Sequence, residues 1–252
     1  MASRCGLPHR RLSPRTRRRQ VDYAYRQNQE ADIDYRTHIA IVGGGVCGLW
    51  LLRALIAGGR EAILLERDTL GGGQTLASQG MIHGGIKYAL GGFTTPSSET
   101  IANMPSVWET YLAGKGAFDL SAVRVLSRDY YLFSDSSVSS RVTAFFGSKS
   151  IRGRVAKMPA SEHPQPFSHA AFKGALYRLA DIVVDTPSLV SELANGAPGR
   201  VLQADARAVR GSDGGVTHLQ LQDGSTLSAD CYIFAAGQGN GALIEAAGID
   251  VV

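Results

Sequence analysis

One candidate for proton chemistry in this chain is a histidine among glycines, in the segment 77–92 with the sequence ASQGMIHGGIKYALGG. Histidine changes its charge near neutral pH, so His83 could transfer a proton or orient a reactant beside a binding site. The alternative is a histidine that only hydrogen-bonds to backbone. Glycines weaken regular elements, and a cluster of them indicates either a flexible loop or backbone that passes close to another group. The neighbouring elements must decide between these interpretations.

A second group of glycines has the spacing G-x-G-x-x-G, directly after a short apolar run and at the start of a segment of helical length. Gly43 permits a tight turn, Gly45 lets a pyrophosphate approach the backbone, and Gly48 lets the helix pack closely on the strand. The free N–H groups at the start of the helix favour a doubly negative diphosphate. Val46 and Cys47 lie inside the same turn. The spacing therefore predicts a dinucleotide site to which these five residues contribute.

The second strand of the same unit, in the sequence EAILLER, ends on Glu66. A carboxylate at this position accepts hydrogen bonds from the ribose hydroxyls of an adenosine and repels a 2′-phosphate, which disfavours NADP. Arg67, the next residue, is assigned to the same site and keeps the NADP interpretation open. An exposed glutamate after a glycine-rich turn is the purely structural alternative. NAD and FAD share the adenosine diphosphate half, so this β-α-β unit does not distinguish them.

Further patterns predict the elements that must position these residues. The expected elements are helices over 97–114, 136–147 and 185–194, a strand over 123–135, a loop over 157–167 and a buried strand over 231–235. Asp185 or Thr186 would cap the third helix. Asp223 and Gly224 predict a hairpin turn before the last strand. This alternation of strands and helices is typical of an α/β fold.

The charge of the chain is uneven. Seven arginines and no acidic residue lie in the first twenty positions, although the formal net charge of the 252 residues is only +4. The rest of the chain is therefore mildly acidic, which argues against a nucleic-acid-binding protein. The basic stretch belongs to a predicted extension over 1–36 with three interpretations: a disordered extension or a start codon placed too early, an organellar presequence, or a basic arm that touches anionic lipid or nucleic acid.

Cysteine and histidine positions bear on metals and compartment. Cys5, Cys47 and Cys231 are far apart, and neither they nor the histidines have a metal-ligand spacing, so no metal site is predicted. An odd number of cysteines without a secretory signal suggests a reducing compartment such as the cytoplasm. Cys47 and Cys231 are expected to be small buried hydrophobes. No apolar run has the length of a membrane span.

Two quoted stretches carry a resemblance to a known family. The stretch IAIVGGGVCGLWLLRALIAGGREAILLERD, followed by MIHGGIKY, resembles the FAD-dependent oxidoreductases of the D-amino-acid-oxidase-like superfamily. Within it, the segment 77–92 is most similar to that of flavin-dependent glycerol-3-phosphate dehydrogenases, and the L-2-hydroxyglutarate dehydrogenase group is a close second. The resemblance covers residues 37–252 and is least specific between 97 and 172.

The resemblance implies a place for FAD along the first half of the chain. The glycines of the turn would hold the pyrophosphate, and Glu66 would hold the adenosine ribose. The ribityl chain and the flavin edge would lie along a further group, which consists of Thr75, Ser78, Gln79, Gly80 and Met81. His83 would lie near the flavin ring, where it could orient a substrate, tune the flavin or transfer a proton.

Residues later in the chain would complete the cofactor site. By the same resemblance Ala206 offers backbone groups to the adenine, and Ala236 and Gly237 close over the ribose and pyrophosphate. Lys87 and Tyr88 are expected to be interface or loop residues. The implied fold is a Rossmann-like FAD-binding domain over 37–96 and 173–252, with a parallel sheet, helices and a β-hairpin. Residues 97–172 would form part of a second, α+β substrate domain.

The implied reaction transfers hydride to flavin from a C–H bond next to a hydroxyl or amine. Polyol phosphates and 2-hydroxy acids are the first expected substrates, and amino acids follow. The electron acceptor could be a quinone or another carrier, met by peripheral contact with a membrane. Enzymes of this family are longer than this chain, so a fragment, a truncated product or half of a split protein with a C-terminal partner is expected. The rivals are a non-catalytic nucleotide-binding remnant and an NAD(P)-dependent dehydrogenase.

Overall fold

The computed structural model describes residues 34–85, 96–134, 155–165, 167–212 and 214–249. In this part of the chain the strands are β1 Asp34–Val42, β2 Ala62–Glu66, β3 Met81–Ile82, β4 Val125–Ser127, β5 Tyr130–Ser134, β6 Val155–Lys157, β7 Ala175–Leu179, β8 Ile182–Val184, β9 Val201–Gln203, β10 Ala206–Arg210, β11 Val216–Leu221 and β12 Thr226–Phe234. The α-helices are α1 Val46–Ala57, α2 Gln74–Ala77, α3 Pro96–Leu112, α4 Thr186–Asn195 and α5 Asn240–Ala246. Two short 3₁₀ turns cover Ala160–Glu162 and Gly237–Gly239.

A six-stranded sheet with the order β10-β11-β12-β1-β2-β9 forms the centre of the fold. Strands β12, β1, β2 and β9 are parallel, and β10 and β11 extend the sheet in antiparallel fashion. The turn between β11 and β12 contains Asp223 and Gly224, and Gly224 has a φ of +85° that favours glycine. The predicted α/β fold with a parallel sheet and a hairpin is therefore confirmed.

Two apolar layers cover the sheet. On one face Leu49 and Leu52 of α1 are fully buried in a cluster with Ile41 of β1, and α4 packs against α1 in the same layer. On the other face Ala40 of β1 joins a cluster that includes Leu219 of β11. Neighbouring residues of a strand point to opposite faces, so β1 contributes to both layers. Full burial of one such leucine stabilises the fold by about 1.5–3 kcal/mol.

The predicted strand over 123–135 is wrong as a single element, because the chain changes sheet inside it. Strand β4 pairs with β8 in the small sheet β3-β8-β4, whereas β5 pairs with β7 in the small sheet β5-β7-β6. Between them Ser127 Oγ donates to the carbonyl oxygen of Asp129 and accepts its N–H, both at 3.0 Å. Arg128 Nε donates to Glu109 of α3 at 2.9 Å. The two local bonds between Ser127 and Asp129 compete with the backbone hydrogen bonds of a continuous strand and bend the chain.

Strand pairing also crosses the predicted domain boundaries. Strand β7 pairs with β5 and β6, although the sequence places residues 173–252 in the FAD-binding domain. At the other end β1 begins at Asp34, inside the predicted extension over 1–36, because it pairs with β12 from Asp34 onward. The domain assignment itself stays a prediction, and the predicted helix over 136–147 lies outside the described residues. None of the described helices is both long and apolar enough to cross a membrane.

The expected burial of Cys47, Cys231 and the strand over 231–235 is wrong. Both thiols are exposed, and residues 232–235 are only half-buried. Cys47 belongs to the first turn of α1, whose start opens on a cleft. Cys231 belongs to β12, where it pairs with Ile39 of β1, and β12 lies on the side of β1 away from β2. Helix α1 packs over β1 and β2, so Cys231 keeps its access to solvent.

Candidate cofactor-binding site

A cleft of about 1480 Å³ follows the carboxyl ends of the central parallel strands. It is lined there by Val42 of β1, by Leu65 of β2 and by Ala235 just after β12. It crosses the start of α1 and continues to Met81 and His83. The carboxyl edge of an open parallel sheet is the place where α/β proteins bind nucleotides, so the position of the cleft agrees with the glycine pattern.

The first and last glycines of the turn are fixed by lack of space. Gly43 has a φ of +117°, and a Cβ on it would lie 2.5 Å from the carbonyl carbon and oxygen of Ala235. A Cβ on Gly48 would overlap the carbonyl oxygen of Gly43 and lie 3.3 Å from the Leu64 side chain. The turn is thus tight at Gly43, and α1 lies directly on the strands at Gly48. For this reason Gly48 does not line the cleft, unlike the other residues assigned to the site from the sequence.

The middle glycine and the start of α1 face the cleft. The nearest atom to a Cβ on Gly45 would be Thr75 Oγ1 at 3.3 Å. Gly45 is the N-cap of α1 and supplies no side-chain bond, so Thr75 Oγ1 takes over this role and accepts the Val46 N–H at 3.0 Å. Amides in the first turn of a helix lack partners within the helix and carry a positive potential. The surface near Gly45 and Cys47 is therefore suited to a diphosphate.

Glu66 is held at the cleft by two backbone amides. Its Oε2 accepts the Gly44 N–H at 2.6 Å, and its Oε1 accepts the Asp68 N–H at 3.0 Å. These bonds fix the carboxylate but leave lone pairs for ribose hydroxyls. The guanidinium of Arg67 donates to Asp68 Oδ2 at 3.1 Å, and both side chains are exposed. Such an exposed pair is weak, and the group that disfavours NADP is the Glu66 carboxylate, which would repel a 2′-phosphate.

The segment between α2 and β3 runs along the wall of the cleft. Ser78 Oγ donates to the Thr75 carbonyl at 2.8 Å, and the Gly80 N–H donates to Ser78 Oγ at 3.3 Å. Gly80 has a φ of +65°, and its carbonyl accepts the Val184 N–H at 2.9 Å. The chain is thus attached to β8 before it reaches Met81. Gln79 lines the same wall.

The two ends of the cleft contain the remaining residues assigned from the sequence. At one end Ala206 opens β10 and lies beside Asp205 and Arg207. Ala236 and Gly237 border the cleft near the glycine turn, and the Ala236 N–H donates to Asn240 Oδ1 at 2.7 Å. At the other end His83 is exposed to the cleft.

Sequence reasoning missed two side chains that line the cleft. Trp108 of α3 lines the cleft and contacts Trp50 of α1 in a tilted arrangement, with ring centroids 4.6 Å apart. Thr186, the first residue of α4, also lines it. Neither residue has a sequence signal for a place in the cleft, since that contact depends on how α3 and α4 pack and not on a local motif. Asp185, which was expected as a cap, is the N-cap of α4.

The cap of α4 carries a perturbed carboxyl group. Asp185 Oδ1 accepts from Arg124 Nη2 at 2.7 Å, and its Oδ2 accepts the Ser188 N–H at 3.0 Å. The hydrogen bond from Arg124, followed by that from Ser188, lowers the pKa of Asp185 below its ordinary value of 3.8. Because Thr186 follows directly, this cap fixes the part of α4 that borders the cleft.

A glycine turn on a parallel sheet, a ribose-directed carboxylate and a cleft that continues well past the turn define a dinucleotide-binding Rossmann-like protein. The model of the family described as FAD dependent oxidoreductase (DAO) matches residues 38–251. The chain belongs to this family, which confirms the resemblance at the level of the superfamily and FAD as the family's cofactor. The start of α1 at Gly45, which lines the cleft, and the amide-held Glu66 fit the diphosphate and ribose of that group.

Individual relatives agree with this assignment. The chain is 42% identical over 214 residues to the probable FAD-dependent oxidoreductase PA4991 of Pseudomonas aeruginosa, covering 85% of this chain and 54% of that protein. The crystal structure of that protein superposes with a TM-score of 0.67 and 33% identity, covering 86% of this chain and 52% of the other. The chain thus spans about half the length of this relative.

More distant structures share the fold. Glycine oxidase from Geobacillus kaustophilus superposes with a TM-score of 0.63 at 21% identity, over 86% of this chain and 60% of the other. L-proline dehydrogenase from P. horikoshii superposes with a TM-score of 0.67 at 14% identity, over 87% and 58%. At these identities the likeness shows the fold alone. The narrower resemblance to glycerol-3-phosphate and L-2-hydroxyglutarate dehydrogenases stays a prediction.

Proposed function

We propose that this chain supplies the FAD side of an oxidoreductase that removes hydride from a C–H bond next to a hydroxyl or an amine. The observation that carries the proposal is the continuity of the cleft, which joins Glu66 and the glycine turn to His83 and Trp108. A cofactor that consisted only of an adenosine diphosphate would fill the part of the cleft at Glu66 and the glycine turn and would leave the part at His83 and Trp108 empty. Bound FAD would supply the hydride acceptor, and the protein would supply orientation and electrostatics.

Each part of the chain has a separate task in this proposal. The start of α1 binds the diphosphate, Glu66 binds the ribose, and the backbone at Ala206 borders the adenine. The wall from Thr75 to Met81 would direct the ribityl chain toward His83. His83 would orient the substrate hydroxyl or amine through a hydrogen bond while the C–H bond is broken. Polyol phosphates and 2-hydroxy acids are the first substrate classes to test, and amino acids follow.

The test begins with cofactor choice. The purified protein is titrated with FAD and separately with NAD, and tryptophan fluorescence is followed. The sequence has only two tryptophans. Trp108 lines the cleft and its ring contacts that of Trp50, so FAD that fills the cleft is expected to quench both. Saturable quenching by NAD without quenching by FAD would contradict the proposal and favour a nicotinamide-dependent dehydrogenase.

The second step tests the reaction. FAD-loaded protein is mixed without oxygen with glycerol 3-phosphate, L-2-hydroxyglutarate, glycine or L-proline, and absorbance at about 450 nm is recorded. Bleaching by one chemical class identifies the substrate class. A His83→Gln variant that binds FAD normally is expected to reduce it more slowly with the same substrate. Bound FAD that none of the four compounds reduces would count against this substrate range.

A further inference from the structure

A buried carboxylate lies outside the cleft, in the turn between β7 and β8. Asp181 is only 6% exposed, and its Oδ1 accepts the Gly84 N–H at 2.9 Å. Among the described residues no Lys, Arg or His forms an ion pair with it. Burial of a carboxylate is costly unless hydrogen bonds compensate for the lost water. The hydrogen bond to the Gly84 amide therefore matters for the stability of Asp181 in this place.

The partner of Asp181 distinguishes it from an ordinary turn residue. Aspartates in turns usually bind amides of their own turn, as Asp223 does when it accepts the Ser225 N–H at 3.0 Å. Asp181 instead reaches an amide 97 positions away in the sequence. That amide belongs to the peptide plane directly after His83. Because a peptide plane is rigid, a bond to its N–H also fixes the backbone orientation of His83.

The surroundings of Gly84 hold the same plane from the other side. A Cβ on Gly84 would lie 3.6 Å from the carbonyl oxygen of Ala102 and 3.7 Å from Pro105 Cγ, both in α3. The same Cβ would lie 3.7 Å from Asp181 Oδ1. The backbone of Gly84 is thus buried between α3 and the β7–β8 turn. Asp181 is the group in this environment that binds its amide.

The next amide binds the imidazole itself. Gly85 has a φ of +68°, and its N–H donates to His83 Nδ1 at 3.2 Å. A backbone N–H can only donate, so Nδ1 must accept and carries no proton. In the neutral ring the proton then lies on Nε2. The two successive amides therefore fix the backbone and the tautomer of His83.

We propose that Asp181 is a positioning residue for His83, which it holds through the Gly84 amide so that the ring offers Nε2–H to the cleft. The Nε2–H group can donate a hydrogen bond to a substrate oxygen or nitrogen, and Nε2 cannot accept a proton while it carries its own. Only this last step, the contact with substrate, rests on the proposed function. The bond to Gly84 and the tautomer exist in the protein without cofactor and can be measured there.

The first measurement uses unmodified protein without added FAD. A long-range amide-to-carbonyl NMR experiment is expected to show coupling through the hydrogen bond from the Gly84 amide nitrogen to the Asp181 carboxyl carbon. The ¹⁵N shifts of the His83 ring, identified by their loss in His83→Gln, are expected to show a protonated Nε2 and an unprotonated Nδ1. Absence of the coupling together with an averaged ring spectrum would overturn the proposal, and the coupling itself is measured on the unmodified protein alone.

The second measurement uses variants. Asp181→Ala removes the acceptor, and amide hydrogen exchange at Gly84 and Gly85 is expected to become roughly tenfold faster or more. In Asp181→Ala the tautomer distribution of the His83 ring should move toward that of a histidine free in water. Asp181→Asn keeps a carbonyl acceptor of the same shape and is expected to restore both properties. Asp223→Ala, which removes a turn aspartate elsewhere, should change exchange near Ser225 but not at Gly84. A Gly84 amide that exchanges equally fast in wild type and Asp181→Ala overturns the proposal.

A third measurement separates this proposal from the proposed function. Asp181 does not line the cleft, so FAD should bind Asp181→Ala with unchanged affinity. The limiting rate of flavin reduction by the substrate should fall and recover in Asp181→Asn. If the His83 tautomer changes in Asp181→Ala and recovers in Asp181→Asn, but no substrate reduces the flavin, the result supports the positioning role and counts against the proposed function. If Asp181→Ala has a mixture of His83 tautomers but reduces flavin at the wild-type rate, the result counts against a role of Asp181 in the reaction.

Discussion

At the scale of single residues, two glycines of the turn have different roles: Gly48 is needed for stability and Gly45 for cofactor binding. Gly48→Ala places a methyl group on the Gly43 carbonyl oxygen, so α1 must move off the strands. We expect the free energy of unfolding to fall by about 1–3 kcal/mol, as for overpacked cores, measured by urea denaturation without FAD. Gly45→Ala is the matched control, because its methyl group meets only Thr75 Oγ1 at 3.3 Å.

Gly45→Ala should have the opposite profile. The methyl group occupies the surface where the diphosphate approaches, so FAD affinity should fall about tenfold or more, a loss of about 1.4 kcal/mol in binding. The free energy of unfolding without FAD should fall less than in Gly48→Ala, because the methyl group meets the movable Thr75 hydroxyl and no backbone atom. Equal effects of the two substitutions on stability and on FAD affinity would contradict the division of roles inside the turn.

Cys47 provides a residue-scale probe of cofactor position. Its thiol is exposed and lines the cleft beside the turn, whereas Cys231 is exposed but does not line the cleft. FAD is expected to slow the reaction of Cys47 with an uncharged maleimide several-fold and to leave Cys231 unaffected. Peptide mass spectrometry at short labelling times measures both sites in one sample. Equal protection of both thiols would indicate a general change of the fold and not occupancy of the turn.

At the scale of elements, the cap of α4 gives a pH-dependent prediction. The hydrogen bonds of Asp185 with Arg124 and Ser188 lower the pKa of its carboxyl group in the folded state below 3.8. A lowered folded pKa stabilises the fold fully above the ordinary value, and this contribution is lost as pH falls through the lowered pKa. Asp185→Asn should therefore lower the urea midpoint at pH 7, and the difference from wild type should shrink below pH 3.8.

The control for this prediction is a carboxylate without a capping role. Asp129 lies 3.6 Å from Arg178 in a surface pair, with 59% of its side chain exposed. Such pairs contribute little to stability. Asp129→Asn should therefore leave the urea midpoint nearly unchanged at each pH between 3 and 7. A difference between Asp185→Asn and wild type that stays constant across this range would show that the charge of Asp185 does not stabilise the helix.

Elements also differ in how well the sequence predicts them. Helices α1 and α4 and the β11–β12 hairpin could be predicted, because a glycine turn, an aspartate cap and an Asp-Gly turn are local signals. The break between β4 and β5 could not, since it depends on β4 pairing with β8 while β5 pairs with β7, which is decided by the tertiary fold. The buried Arg53 is a similar case: it donates to the Glu192 carbonyl at 3.0 Å and so joins α1 to α4.

At the scale of the whole molecule, the sequence predicted the nucleotide half of the site better than the rest. Glu66 and the glycine turn form a local β-α-β unit, so their relative placement follows from the motif. Trp108 and Asp181 come from other elements, and only the assembled fold brings them to the His83 segment. The exposure of Cys231 was mispredicted for the same reason: burial on a sheet depends on which helix covers which strand.

The cleft as a whole predicts how nucleotides stabilise the protein. A ligand that binds only the folded state raises stability by mass action, by about 2.7 kcal/mol at a hundredfold excess over Kd. FAD and ADP share the groups that would contact Glu66, the start of α1 and Ala206. FMN would contact only the end of the cleft near His83. We therefore expect the melting temperature to rise most with FAD, less with ADP and least with FMN.

Glu66→Gln links this order to specific atoms. The carboxylate of Glu66 accepts one hydrogen bond from the Gly44 amide and one from the Asp68 amide. The glutamine has one carbonyl oxygen and can keep only one of the two. The substitution should therefore reduce the shifts caused by FAD and ADP, and the shift caused by FMN should stay the same. Thermal denaturation at matched nucleotide concentrations measures all three. A shift with FMN as large as that with ADP, lost equally in Glu66→Gln, would mean that the cleft does not divide into an adenosine half and a flavin half.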